Sequence, residues 1–286
     1  MANSPSHQLG EFIGDFFESS IIEYLKPIVS QKGYYLDYRH PRPARGNKKE
    51  VIGIDLNGNK HKLDIVIEEG GSEAAFGRYK AYIEMAWRRY VKHSKNKVQE
   101  IAGAILPLVE TNAQERPFYA AVLAGEFTEN ALNQLRSEGF YVLYFNYYEI
   151  CRLFDTIGLS IRWEEDTSEA DIRRIANEFN SLTQVQIQQL RANFFAMYKQ
   201  QLNGLTVALC NSLAATVSEV IVIPLHGTAQ SLRDANAAVK YILSYDESRN
   251  EPIFRYEIIV RYNNGDEFSM KCSDKTKAIQ FLNQYK

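Results

Sequence analysis

The sequence predicts an α/β fold, a mixed sheet flanked by helices, followed by a small C-terminal α/β domain. Apolar residues recur at helical spacing near the N-terminus, and beyond it short apolar runs bounded by Gly, Asn and Pro alternate with amphipathic segments. The chain has 286 residues, 45% hydrophobic and 24% charged, which suits about two domains with real cores. The expected organisation is a core over 1–165, a helical connection over 166–205, and a small α/β domain over 206–286.

The elements follow in order. Leu9, Phe12, Ile13, Phe16, Phe17, Ile21 and Tyr24 form a helical stripe that fades by Pro27. Tyr34–Tyr38 reads as a short strand, and 39–49 as an irregular basic segment. Runs over 50–56 and 61–68 flank Asn57-Gly58-Asn59 and read as a hairpin. A Gly-rich connection leads to a third strand over 79–87, then a helix over 88–106 with Val91, Val98, Ile101, Ala102 and Ile105 inward. A continuous apolar run over 118–124 reads as a buried strand, followed by a helix over 128–138, a strand over 140–145 and a helix over 147–157. From Thr167 to about Ala215 the pattern is helical, with Thr167 or Ser168 opening it. The last part reads as a strand over 217–224, a helix over 233–245, a hairpin over 254–271 turning at Asn263-Asn264-Gly265, and a helix over 273–285. No internal repeat is evident.

Composition removes several functions. Three separated cysteines, Cys151, Cys210 and Cys272, suit reduced thiols and offer no zinc spacing. The chain has no His-Glu-x-x-His helix, Gly-x-Ser-x-Gly elbow, phosphate-loop motif or Gly-x-Gly-x-x-Gly turn. The most apolar stretch, 206–225, is interrupted by Asn211, Ser212, Ser218 and Glu219, so no membrane span is expected. With no secretory signal visible, a cytoplasmic location is expected. The net charge of −2 conceals an uneven layout. Segments 39–49 and 88–97 hold ten of the 33 basic residues and no acid. Such runs are either solvated faces or phosphate contacts.

Strand alternation sets Asp64 opposite the apolar face of Leu63, Ile65 and Ile67, and Glu84 opposite Ile83, Met85 and Trp87. On neighbouring strands these two carboxylates converge and repel, so a proton, a lysine or a divalent metal must compensate. The basic cluster Arg88, Arg89, Lys92, Lys95 and Lys97 starts four residues after Glu84. Acids that hold a metal beside cations that hold phosphate are what phosphodiester hydrolysis requires. The bland readings are a strand Asp64 paired to Lys62, and Trp87 as core.

The order helix, three strands, helix, strand, with Asp64 on the second strand and Glu84 on the third, resembles the restriction-endonuclease-like nucleases. Their Asp and Asp/Glu-x-Lys motifs resemble Leu63-Asp64-Ile65 and Glu84-Met85-Ala86 here, and Gly14-Asp15-Phe16-Phe17-Glu18 is similar to their Gly-x-x-Phe-Glu. The resemblance covers residues 9–145. Ala86 stands where the family has lysine, and some members supply that cation from the following helix. The resemblance therefore implies Lys92, then Lys95, as the group that orients the attacking water. It implies Mg2+ held by Asp64 and Glu84, with Glu18 through water. The expected activity is Mg2+-dependent cleavage of double-stranded DNA, of the restriction type, by a homodimer with a companion methyltransferase. Arg39, Arg42, Arg45, Lys48, Arg88, Arg89, Lys95 and Lys97 are the expected DNA contacts. A repair or junction-resolving nuclease and a catalytically inactive DNA-binding protein are the alternatives.

Overall fold

In the computed structural model, which describes residues 4–248 and 255–285, the N-terminal apolar stripe forms α1 (Pro5–Gln31). Ser4 caps it by accepting the His7 N–H, with Pro5 in the first turn. The helix continues through Pro27 rather than fading there. Leu25 and Val29 lie on the same stripe and are fully buried, which outweighs the backbone bond that proline removes.

Next come β1 (Tyr34–Tyr38), β2 (Val51–Ile54), β3 (Lys60–Leu63), β4 (Ile65–Glu69) and β5 (Arg78–Arg88). β2 and β3 form the expected hairpin, and the Asp55 carboxylate holds its turn by accepting the Asn57 and Asn59 N–H groups. The single strand expected over 61–68 is two strands. β3 pairs with β2 as far as Leu63, Asp64 steps out, and β4 pairs with β1 and β5. Val66 and Glu68 are buried because β4 is an inner strand.

α2 (Ser94–Thr111), β6 (Phe118–Gly125), α3 (Glu129–Ser137), β7 (Tyr141–Asn146) and α4 (Tyr147–Asp155) complete the core. The five-stranded sheet runs β1-β4-β5-β6-β7, antiparallel across β1-β4-β5 and parallel across β5-β6-β7. It is a mixed sheet flanked by helices. α2 and α3 bury Val98, Ile105 and Leu132 against Tyr82, Ala121 and Leu123. Helix α2 begins at Ser94, not at Arg88, because β5 stays extended to pair Arg88 with Gly125. Gly125 permits this approach: its φ is +105°, and a Cβ there would lie 2.0 Å from the Arg88 carbonyl oxygen.

The segment expected as a helical connection forms α5 (Glu169–Asn180), α6 (Gln184–Met197) and α7 (Lys199–Leu213). α5 and α6 pack onto α1 instead of standing apart. Phe179 stacks on Phe12, Phe194 meets Phe16 and Phe17, and Arg191 pairs with Glu23. Each helix carries a one-sided apolar stripe that has to be covered. The chain divides into compact units Met1–Leu209 and Cys210–Lys286.

The second unit contains β8 (Val217–Ile223), β9 (Gln230–Leu232), α8 (Ala235–Ser244), β10 (Tyr256–Tyr262), β11 (Glu267–Cys272) and α9 (Lys275–Leu282). Phe254, within the hairpin expected over 254–271, lies outside the described residues. The sheet order is β11-β10-β8-β9, antiparallel throughout. This is a strand-strand-helix unit used twice, with β8 and β10 antiparallel at the centre, and it overturns the expectation of no repeat. Asp234 and Asp274 cap the two helices alike. Ala238 and Ala278, Ile242 and Leu282, and Tyr245 and Tyr285 occupy matching places. Few of the matched positions are identical and most of the rest share only apolar character, so the repeat does not stand out in the sequence. No helix among the described residues is long and apolar enough to cross a membrane.

Arg42 is fully buried in the first unit. Its guanidinium donates to Asp37 Oδ2 at 2.6 Å, to both Glu68 carboxylate oxygens at 2.9 Å, and to the Ser72 and Ala75 carbonyls, between the Tyr35 and Phe76 rings. Gly71 makes room, since a Cβ there would lie 2.2 Å from Glu68 Oε2. Arg45 also pairs with Asp37 and donates to the His40 and Tyr38 carbonyls. These two arginines are internal ties and not the DNA contacts expected of them. Replacing Arg42 by Met leaves buried Glu68 without its cation and Asp37 with Arg45 alone, and urea denaturation should show a loss of about 3–5 kcal/mol. Lys48→Ala, at an exposed position, should stay within about 0.5 kcal/mol.

Candidate active site

The break between β3 and β4 places Asp64 directly against β5. Its backbone N–H donates to Glu84 Oε1 at 3.3 Å, and its Oδ2 accepts the Met85 N–H at 2.7 Å. Because Ile65 pairs with Ile83, Glu84 arrives opposite Asp64. β5 sets Glu84 on the face it shares with Tyr82 and Ala86, which α2 covers. Glu84 is only 7% exposed. Asp64 Oδ1 and Glu84 Oε2 accept no hydrogen bond among the described residues.

α1 closes the other side of the cleft. Glu11, Asp15 and Glu18 recur at helical spacing and line a pocket of about 160 Å³ with Asp64, Met85 and Ala86. Burial pushes the Glu18 carboxyl up to about 7, reinforced by repulsion from Asp64 and Asp15. Burial, then the Asp64 charge, raises Glu84 well above the usual carboxylate range. Burial also raises Asp64 and Asp15. Four acids that resist ionisation together form a site with an unmet demand for positive charge.

Lys97, in the first turn of α2, is the cation whose charge eases the ionisation of both Asp64 and Glu84. It also pairs with Glu100 at 3.3 Å. Lys92, expected in that role, sits in a short turn before α2 and pairs with Glu165 at 2.7 Å, exposed to solvent. The reason is the helix start: with α2 opening at Ser94, Lys92 falls outside it and Lys97 on its first turn. Lys95 is exposed on the helix.

The cations expected on DNA divide by burial. Arg89 is 7% exposed, stacks 3.8 Å from the Tyr147 ring centre, and ties the end of β5 to the Trp163 carbonyl, Glu126 and Glu164. It is structural, like Arg42 and Arg45, because its charge is spent on partners inside the fold. Arg39 and Lys48 are exposed, and the Arg39 charge bears on Asp15, Glu18 and Glu50. Arg88 is half-buried and donates to the Trp87 carbonyl. Trp87, read as core, is half-buried under Gly10 of α1 and lines the pocket. Sequence reasoning missed Asp15 and Glu11 as cleft residues, although both lie on the α1 face that carries Glu18.

The donor set suits a hard divalent cation: carboxylate oxygens, two of them without hydrogen bonds. No group of three or more His, Cys, Asp or Glu stands at ligating distance among the described residues. Mg2+ is commonly held by one or two carboxylates and otherwise by water, which is what this pair can offer.

No family model and no curated protein matches the chain. A crystal structure of a protein of unknown function, AF1548, is similar at 12% identity and a TM-score of 0.29, covering 66% of this chain and 99% of that one.

Proposed function

We propose that the chain is a Mg2+-dependent endodeoxyribonuclease of restriction-endonuclease type, acting on double-stranded DNA in the cytoplasm. The observation that carries this reading is the Asp64–Glu84 pair, brought side by side where Asp64 enters an acid-lined cleft, with Lys97 as the nearby cation. Asp64 and Glu84 would hold the ion, with Glu18 as an outer partner. Mg2+ bound there supplies Lewis-acid chemistry at the phosphate. Lys97, in place of Lys92, orients the attacking water and offsets charge on the non-bridging oxygens. Arg39, Lys48, Arg88 and Lys95 hold the flanking backbone. Cutting both strands calls for two such sites, hence a homodimer, and a restriction role calls for a companion methyltransferase.

Plasmid cleavage in Mg2+ or Mn2+ tests the assignment. Asp64→Ala and Glu84→Ala should each lower the rate about a hundredfold or more, since even outer partners of a metal ligand are worth ten- to a hundredfold. Lys97→Ala should cost about 10²–10³-fold. Lys92→Ala, which loses an exposed ion pair, should stay within about twofold. Full activity in either acid variant would overturn the catalytic assignment. DNA binding without cleavage in either metal would make the chain a binding protein.

The raised acids give a second test. Glu18 binds its proton more tightly folded than unfolded, so its stabilising contribution is complete below about 4.5 and gone above about 7. Metal-free protein should therefore melt lower as pH rises from about 5.5 to about 8, and Glu18→Gln should flatten that slope. Mg2+ added at the upper pH should restore the melting temperature, because an ion that binds only the folded cleft stabilises it.

A further inference from the structure

The acid cleft opens into a second and larger pocket. The two share Glu11, Met85, Ala86 and Trp87, and the second has a cavity volume of about 550 Å³. The range usual for small-molecule sites is about 300–1,000 Å³. Its chemistry is the reverse of the cleft's. Beyond the shared wall it is lined by Arg88, Tyr90, Lys97 and Trp163. The Trp163 indole N–H is buried and directed at the Tyr90 hydroxyl. Arg89, the remaining cation on the wall, is spent on Trp163, Glu126 and Glu164 and holds this side in place.

A cavity with aromatic walls, two cations at its rim and a metal-seeking acid pair next door has the parts that hold one unstacked nucleotide. An aromatic wall takes the base face, and cations take the adjoining phosphate. A nucleotide inside a continuous duplex cannot enter such a pocket without leaving its stack. We infer that this pocket receives the nucleotide flanking the scissile phosphate, with its base against Trp87 and Tyr90 and its phosphate on Arg88 and Lys97. The inference rests on the nuclease reading above and names its substrate class: DNA with an unpaired or easily extruded nucleotide beside the cut.

Trp87 and Trp163 are the chain's two tryptophans, and both line this pocket. Intrinsic tryptophan emission is therefore a direct readout. The Asp64→Asn variant without added metal is titrated with a short single strand, a duplex carrying a one-nucleotide bulge, and a continuous duplex, while anisotropy of a labelled strand follows binding. Emission should change on saturation with the first two and little with the third. Wild-type protein in Mg2+ should cut the bulged duplex faster than the continuous one. Arg88→Ala with Tyr90→Ala should weaken single-strand binding about tenfold or more, which is the scale of one stack and one phosphate contact. Trp163→Phe should keep the emission response through Trp87. Binding and cleavage with unchanged emission and no preference for the bulge would overturn the pocket assignment and leave the nuclease reading standing. No binding or cleavage of any DNA form would overturn both.

Discussion

A guanidinium without access to water governs the layout of the first unit. Arg42 meets Asp37 on β1, Glu68 on β4 and the carbonyls of the loop that returns the chain to β5. Glu68 also accepts the Gly77 N–H. One cation thus spaces two neighbouring strands and the approach to a third. Ion pairs this deep roughly repay their own desolvation, so the consequence is geometric. β4 is pinned at its far end, and its near end is where Asp64 leaves the ladder. Glu84 then faces Asp64 through the register of two antiparallel strands.

Burial decides what each charge does. The acids at the cleft and beside it come from α1, the β3–β4 break and β5, and burial, reinforced by their mutual repulsion, raises them above the usual carboxylate range. Three of the arginines in the two basic segments have acidic partners inside the fold and project no field. Arg39, Lys48 and Lys95 remain exposed, and Lys97 lines the pocket that adjoins the acid cleft. The cationic surface is thinner than the composition of these segments suggests.

Much of the fold was legible because hydrophobic periodicity is a local signal. The stripe from Leu9, the hairpin around Asn57-Gly58 and the continuous run of β6 each declare their element. Asp64 and Glu84 were legible because a lone acid in an apolar strand needs a reason. The errors lie where distant residues decide. Arg88 to Tyr90 remain extended because Gly125 and Trp163 hold them, and nothing in the local pattern marks that, so the helix start and the choice of lysine moved together. Arg42 and Arg45 read as surface charge because Asp37 and Glu68 reach them only through the fold. The 61–68 run alternates well enough to pass for one strand. Only its change of partner at Asp64, a tertiary fact, divides it.

The doubled strand-strand-helix unit at the C-terminus has a consequence for how that unit can exist. Its inner strands, β8 and β10, pair with each other along their length. A single half, alone, would leave a long unpaired edge and the flank of its core open to water, the arrangement that drives strands to recruit another chain. Two separate halves would therefore assemble only as far as their concentration allowed. Carried on one polypeptide, each half meets the other at the millimolar effective concentration of a short tether. Assembly becomes ordinary folding, insensitive to dilution. The two halves are also released from identity, so that the side chains on one can diverge while the other preserves the seam.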